Sequence, residues 1–368
     1  MDDLATIPDY GLGWLDASGP ESDIVLSTRV RLARNLQGHA FGPRARVNDR
    51  EAVLGRLRTT LEKSQMLSGA SLWELAEVEP RTRQILLERR LVSQDLLGGG
   101  NGKPARGTAL LMSGRDPLSV MVNEEDHFRL QSLLSGLRLQ DAWSLVDRLD
   151  EELGEELPFA FHHEFGFLTS CPTNVGTGLR ASVLIHLPGL VLTKEIGQVL
   201  QGLNQVGITF RGLYGEGSEV VGNFFQVSNQ TTLGKTEEDL VDHLDQIVRQ
   251  VIDYERQARH VLLREAAAVT EDKIWRGYGL LRFARSLSFD EMINLLSGVR
   301  LGVGLKLLPG LRVYTLNKIM IYSQAAHLEQ AAERDLPPSE CDAHRASFVR
   351  RILDSEGIVF SEGDGAAG

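Results

Sequence analysis

Cysteine, lysine and long apolar runs are all scarce in this 368-residue chain, and each shortage removes a class of answer. Two cysteines, Cys171 and Cys341, cannot staple a disulfide framework, which points to a reducing compartment. The most apolar stretch, residues 181–193, carries His186 and Pro188 and is too short to span a bilayer. Met1-Asp2-Asp3-Leu4 lacks the basic and apolar regions of a secretory signal, so a cytoplasmic protein away from membranes is expected. A net charge of −11 argues against a broad nucleic-acid surface and leaves room only for a local basic site. Only 7 of the 39 basic residues are lysine, so 32 are arginine, the planar donor suited to phosphate. Genome composition produces the same bias, so position in the fold has to decide.

What is present is ordinary globular material, 42% apolar and 24% charged, in a chain long enough for one large domain and a smaller one. There is no repeat and no heptad run. Strand patterns are expected near 108–113, 119–123, 159–170, 178–187, 207–213 and 223–228. Helical patterns are expected near 81–91, 124–134, 188–204 and 237–263. Beyond about 256 only helical patterns remain, near 271–287, 290–296, 311–332 and 343–353. The fold class predicted is α+β, a mostly antiparallel sheet flanked by helices, over 1–255, then an all-helical domain over 256–360. Residues 361–368 are expected to be a disordered tail, and Gly98-Gly99-Gly100-Asn101-Gly102 a mobile loop.

Four segments are polar where a sheet should be apolar. In Ser27-Thr28-Arg29-Val30-Arg31-Leu32-Ala33-Arg34, a strand places Arg29 and Arg31 on the same face. Adjacent guanidiniums repel unless an anion lies between them, and phosphate fits; a solvated edge strand is the alternative. Asn123-Glu124-Glu125-Asp126-His127-Phe128-Arg129 sets three acids at a strand-to-helix junction. Capping charge accounts for Glu124 and Asp126, while the other reading turns one carboxylate into a cleft with Arg129 returning from the first helical turn.

In the third segment, residues 171–181, Gly176-x-Gly178-x-x-Ala181 imitates a dinucleotide fingerprint, but a strand follows it instead of a helix. A glycine-rich turn beside a lone cysteine and Arg180 still reads as a site, against the alternative of a buried inert thiol. Arg211-Gly212-Leu213-Tyr214-Gly215-Glu216-Gly217-Ser218-Glu219 fits a loop that closes over a ligand or an ordinary glycine-rich connection. Gly234-Lys235-Thr236 is not a P-loop, because Asn229 stands where the first glycine belongs. No cysteine and histidine set has zinc-ligand spacing, and no metal ligands are assigned.

In this order, the four motifs resemble those of the ATP:guanidino phosphotransferases, the family of creatine and arginine kinases. The resemblance runs from about residue 23 to 255, and its closest branch is the bacterial protein-arginine kinases, which the helical domain also resembles. It implies that Glu125 and Glu219 grip the substrate guanidinium and that a Cys171 thiolate assists without covalent catalysis. It assigns the nucleotide to Ser27, Thr28, Arg29, Val30, Arg31, Arg129, Arg180, Ala181, Ser182, Val183, Leu184, Arg211, Gly212, Leu213, Tyr214, Gly215 and Glu216. ATP is the expected cofactor, with Mg2+ carried on it through mostly water ligands.

Two departures stand out. Where the branch has a nucleotide-contacting histidine, Glu88-Arg89-Arg90-Leu91 carries Arg90. Where it has an Arg-Asp-x-x-Arg-Ala motif for phosphoarginine, this chain reads Cys341-Asp342-Ala343-His344-Arg345-Ala346, so the first charge is missing and weaker sensing is expected. Small-molecule guanidino kinases carry a helical domain ahead of these motifs; with the arginine motif beginning at Ser27 none is expected here, and an open site suited to an arginine displayed on a protein is expected instead. The resemblance further implies substrates with exposed arginine, among them a heat-shock repressor, a zinc-binding activator protein, a Clp ATPase and protease, and a homodimer formed by the helical domain. A free-arginine kinase and a weakly catalytic phosphoarginine-binding adaptor are the alternatives.

Overall fold

A computed structural model describes residues 12–99, 102–114, 117–212, 221–356 and 358. In chain order the elements begin with β1 (Val25–Arg34), α1 (Val47–Leu61), β2 (Ser71–Glu74), α2 (Pro80–Glu88), β3 (Ala109–Met112), β4 (Leu118–Val122), β5 (Phe128–Ser135) and α3 (Leu139–Glu156). They continue with β6 (Phe161–His162), β7 (Gly166–Phe167), β8 (Leu179–His186), α4 (Pro188–Leu192), α5 (Ile196–Gln205), β9 (Ile208–Arg211), β10 (Phe224–Asn229) and α6 (Glu237–Glu265). Five helices finish the chain: α7 (Ala267–Phe283), α8 (Phe289–Gly304), α9 (Val313–Tyr322), α10 (Ala325–Ala332) and α11 (Pro338–Glu356). Among the described residues no helix is long and apolar enough to cross a membrane.

Eight strands form one antiparallel sheet in the order β2-β3-β4-β5-β1-β8-β10-β9, with β1 at its centre. Alternation along each strand sorts the side chains into two faces. Val30, Leu32, Leu130, Ala181, Val183 and Val227 face one way and pack against α1, α3, α5 and α6 in the main core. Each fully buried Leu or Val there contributes about 1.5–3 kcal/mol of hydrophobic stabilisation. The opposite face is divided. Leu133, Leu184 and Phe224 at one end are covered by Ile274, Tyr278, Ile293 and Leu296 from the C-terminal helices. The other end carries the arginines and stays open.

Several local expectations are corrected. Residues 124–134 are not a helix: β5 begins at Phe128, and Asn123, at φ 58°, closes a hairpin turn by donating to the His127 carbonyl at 2.8 Å. The acids imitate a capping run, but the alternation Phe128, Leu130, Ser132 against Arg129, Gln131 is that of a strand. The edge-strand alternative for residues 27–34 fails, since β1 is flanked on both sides. The 188–204 and 311–332 helices are each two, broken at Lys194 (φ 64°) and at Ser323-Gln324. Residues 159–170 hold only the two-residue strands β6 and β7. Residue 255 falls inside α6, whose break comes at Ala266. Gly100, Asn101 and the 361–368 tail lie outside the described residues.

Candidate active site

Strand register decides which arginines meet. Arg31 stands opposite Arg180 on β8 and Gln131 on β5, and Arg29 opposite Ser182 and Leu133. Arg129 lies beside Ala33, and Arg211 on β9 beside Gln226 on β10. All five arginines therefore share one face. A cavity of about 1210 Å³ opens over it, lined by Arg29, Arg31, Arg129, Arg180 and Arg211, with Arg90 arriving from the turn after α2.

The cluster is electrostatically incomplete. Burial, then the guanidiniums of Arg90, Arg180 and Arg129, push Arg29 down to about 9. Burial, then Arg29, Arg129 and Arg180, hold Arg31 well below the ordinary arginine range. Arginine does not release its proton in such settings, so the shift registers crowded positive charge that an anion would relieve. Arg31 Nε and Gln131 Oε1 are buried with no hydrogen-bond partner among the described residues. A donor face of this kind fits the oxygens of a polyphosphate.

The acidic rim is held by the β4–β5 turn. Asp126 is buried and accepts from Asn35 Nδ2 and from the Ser170 N–H, both at 2.7 Å. Asn35 Oδ1 accepts the His127 N–H at 2.9 Å, and His127 Nδ1 accepts the Leu36 N–H at 2.9 Å while Nε2 reaches the Ala40 carbonyl at 3.0 Å. Both ring nitrogens are thus engaged by a neutral imidazole, in line with burial lowering its pKa. Gly42 presses against the turn from outside: a Cβ there would lie 2.8 Å from the Glu125 carbonyl oxygen.

This frame leaves Glu125 as the acid of the turn that reaches the cavity half-exposed. Its Oε2 is 3.3 Å from Arg129 Nη2, and burial, only partly offset by Arg129, raises its pKa. Glu124, expected to be a capping charge, is the buried partner of Arg129 and accepts from Ser93. Ser170, whose hydroxyl donates to the Glu125 carbonyl at 2.7 Å, leads directly into Cys171. Cys171 is half-buried, lines the same cavity, and has its Sγ 3.0 Å from Thr173 Oγ1. Gly178, at φ 66°, lets the chain pass β1, where a Cβ would meet the Ala33 carbonyl at 2.6 Å. The glycines that imitate a dinucleotide motif serve packing here.

Alternation also removes residues from the site. Thr28, Val30, Ala181 and Val183 lie on the opposite face, and Thr28 Oγ1 donates to the Gly136 carbonyl at 2.6 Å and accepts the Arg138 N–H. They form the layer beneath the arginines. Ser27, Ser182 and Leu184 share the arginine face but lie buried below the opening. Arg34, the third arginine of its motif, turns away and pairs with Asp150 at 2.6 Å. Gly212 is buried at the end of β9, while Leu213, Tyr214, Gly215, Glu216 and Glu219 lie outside the described residues.

In the helical domain, Arg345 is buried and donates to the carbonyls of Ser323 (2.9 Å) and Leu287 (2.8 Å), to Asp342 (2.5 Å) and to Cys341 Sγ (3.4 Å). Cys341 and Ala346 are buried beside it. Gln226 and Gln324 also line the cavity and went unread in the sequence. Gln226 could have been found from its strand parity, but Gln324 arrives from the distant α9–α10 corner and leaves no local signal.

Two family descriptions match the chain. The C-terminal catalytic domain of the ATP:guanido phosphotransferases matches residues 52–258, and the C-terminal domain of protein-arginine kinase McsB matches 267–360. The chain belongs to the ATP:guanido phosphotransferase family. A protein-arginine kinase of Pelotomaculum thermopropionicum is 45% identical over 92% of this chain and 94% of its own length. One from Moorella thermoacetica is 46% identical over 92% and 97%. Among solved structures, the duplicated taurocyamine kinase of Schistosoma mansoni with transition-state analogue components superposes with a TM-score of 0.59 at 26% identity. That match covers 69% of this chain and 35% of the duplicated protein. Lombricine kinase, at 23% identity and TM-score 0.55 over 66% of this chain and 70% of its own, shares the fold.

Proposed function

We propose that this protein transfers the γ-phosphoryl group of ATP to arginine side chains of other proteins. The observation that carries this reading is one cavity shared by five arginines, the half-exposed Glu125 and Cys171. The identity with named protein-arginine kinases over nearly their full length supports the choice of acceptor.

A guanidinium is cationic, delocalised and weakly nucleophilic, so orientation and proton removal have to supply the rate. Glu125 is proposed to accept hydrogen bonds from the incoming guanidinium and to fix one nitrogen in line with phosphorus. Its raised pKa brings it closer to the strength a base needs. Glu219 is assigned to the second side of the same guanidinium by its motif alone. Arg29, Arg31, Arg129, Arg180 and Arg211 would neutralise the charge that spreads over the phosphoryl oxygens. As the N–P bond forms, the bond to the β-phosphate oxygen breaks, ADP keeps the electron pair, and the nitrogen's proton passes to a carboxylate. Cys171 as a thiolate would add negative charge beside the guanidinium and polarise it.

A divalent metal is part of this chemistry. Among the described residues no three His, Cys, Asp or Glu side chains converge into a cage. We therefore assign Mg2+ to the nucleotide's own oxygens and water, where it would screen phosphate charge.

The wider setting follows the same reading: a cytoplasmic enzyme, a catalytic domain ending in α6 and a helical regulatory and dimerising domain after Ala266. A heat-shock repressor as substrate, a zinc-binding activator and delivery to a Clp protease belong to the proposal. The 341–346 segment is proposed to bind phosphoarginine weakly, because Arg345 is already bonded and Cys341 adds no charge. Phosphoarginine titrated against the full chain should bind more weakly than micromolar; micromolar or tighter binding defeats that point.

The deciding experiment supplies purified enzyme and ATP with either a protein substrate or free arginine, and analyses products by mass spectrometry without acid, since P–N bonds hydrolyse in acid. Phosphoarginine on the protein is expected. Product on free arginine alone would replace this reading with a small-molecule kinase, and no product would favour an adaptor.

A further inference from the structure

Arg90 holds an uncommon conformation. It follows α2 at φ 63°, the left-handed position where a helix usually places glycine, and a bulky side chain there costs about 1 kcal/mol or more. Its backbone N–H closes on the Leu87 carbonyl at 2.9 Å, and Leu91 N–H on Leu86 at 3.0 Å. The consequence is that Arg90 Nη2 meets Gln226 Oε1 at 2.8 Å above the arginine cluster and lines the cavity.

The last residue of α2, Glu88, is clamped by the helical domain. Its carboxylate accepts the N–H groups of Ala326 (2.9 Å) and His327 (3.2 Å), the first turn of α10, and meets His327 Nδ1 at 2.6 Å. Arg89 Nε donates to His327 Nε2 at 3.3 Å, so one neutral tautomer satisfies both sides of the ring. Gln324 Nε2 lies 3.4 Å from the Glu88 carbonyl and its side chain reaches the cavity. The α9–α10 corner is thus fastened to the chain two residues before Arg90.

We infer that Glu88 is a positioning residue for nucleotide binding: its clamp on α10 holds the turn that aims Arg90 into the cavity, so the helical domain sets nucleotide affinity through it. This inference rests on the kinase reading only in taking the cavity as the nucleotide site.

The test titrates ATP-Mg2+ calorimetrically into the full chain. E88A should weaken ATP binding about tenfold, R90A by a similar factor, and E88A/R90A no further than R90A, because both act through one group. In turnover the same variants should raise KM for ATP about tenfold with kcat within about twofold. A purely structural Glu88 would lower the melting temperature and leave the ATP affinity of the folded fraction intact; that pattern overturns the inference, and so does a double variant that binds ATP clearly more weakly than R90A. Should E88A fail to fold, E88Q, which keeps one acceptor oxygen, should weaken binding about threefold by the same logic, and wild-type affinity in E88Q would overturn it. Wild-type protein that binds ATP but makes no phosphoarginine would sink the kinase reading and leave this one standing.

Discussion

Two groups of deeply placed arginines meet opposite fates. Arg34 and Arg345 have partners built for them: Asp150; Ser323, Leu287 and Asp342. Arg29 and Arg31 sit among other guanidiniums, and Arg31 Nε has no hydrogen-bond partner among the described residues. Residue type does not separate the groups, and exposure does so only in part, Arg29 and Arg31 being half-buried and the others buried. What separates them is whether the fold has already supplied the anion or carbonyl that a buried guanidinium requires. Arg300 stands between the groups: it donates to Asn317 Oδ1 and to the Ser22 carbonyl, both at 2.7 Å, yet its Nε has no partner among the described residues, and burial, then Arg259, pushes it down to about 9.

The strongest way to break this contrast is R31A against R345A. R31A should lower kcat/KM about 10³-fold with the melting temperature unchanged or higher, since it relieves like-charge crowding. R345A should destabilise by about 2–3 kcal/mol, exposing two orphaned carbonyls, while specific activity of the folded protein stays near wild type. Steady-state kinetics beside thermal melts reads both; the reverse pattern would erase the distinction.

E125Q sharpens the acidic side. It should cost about 10²-fold or more in kcat with little effect on ATP binding. Because burial raises the Glu125 pKa, kcat/KM should climb with pH through a limb displaced above the ordinary carboxylate value of 4.5, and that limb should vanish in E125Q. C171A should lower activity only about tenfold, as expected of a polarising and not a covalent group. A complete loss would assign Cys171 a larger part.

The smallest effect concerns stability. His127, His186 and His327 are buried and their pKa values are lowered by that burial. The unfolded chain therefore binds more protons below the ordinary histidine value of 6.5. Stability is complete above that value and declines as pH falls through it, by up to about 1.4 kcal/mol per histidine per pH unit. Melting temperatures at pH 7.5 and 5.5 should show the loss, and a flat profile would contradict it.

Much of the cavity was readable because a strand's period of two is rigid. Arg29 and Arg31 share a face by counting, and Arg34 leaves it by the same count. The sheet class and the helical second half were likewise visible in pattern. The hairpin before Arg129 was hidden, since Glu124, Glu125 and Asp126 look like helix-capping charge until Asn123 is seen at positive φ. Thr28, Val30, Ala181 and Val183 were drawn into the nucleotide set by their motifs, although parity sends them beneath the sheet. Gln324 and the Glu88 clamp depend on contacts between segments more than two hundred residues apart, which no local pattern encodes.

The divided face of the sheet has a practical corollary. Two family descriptions suggest two modules, separable near Ala266, yet Leu133, Leu184 and Phe224 of the β-rich half share one core cluster with the helical half, joined there by Leu12, Trp14 and Leu15. A truncation ending at Glu265 would bare that greasy patch beside the arginines and should self-associate instead of yielding a tidy miniature enzyme. The helical half is in effect glued to the floor beside the arginines, so neither portion can be expected to behave as itself alone.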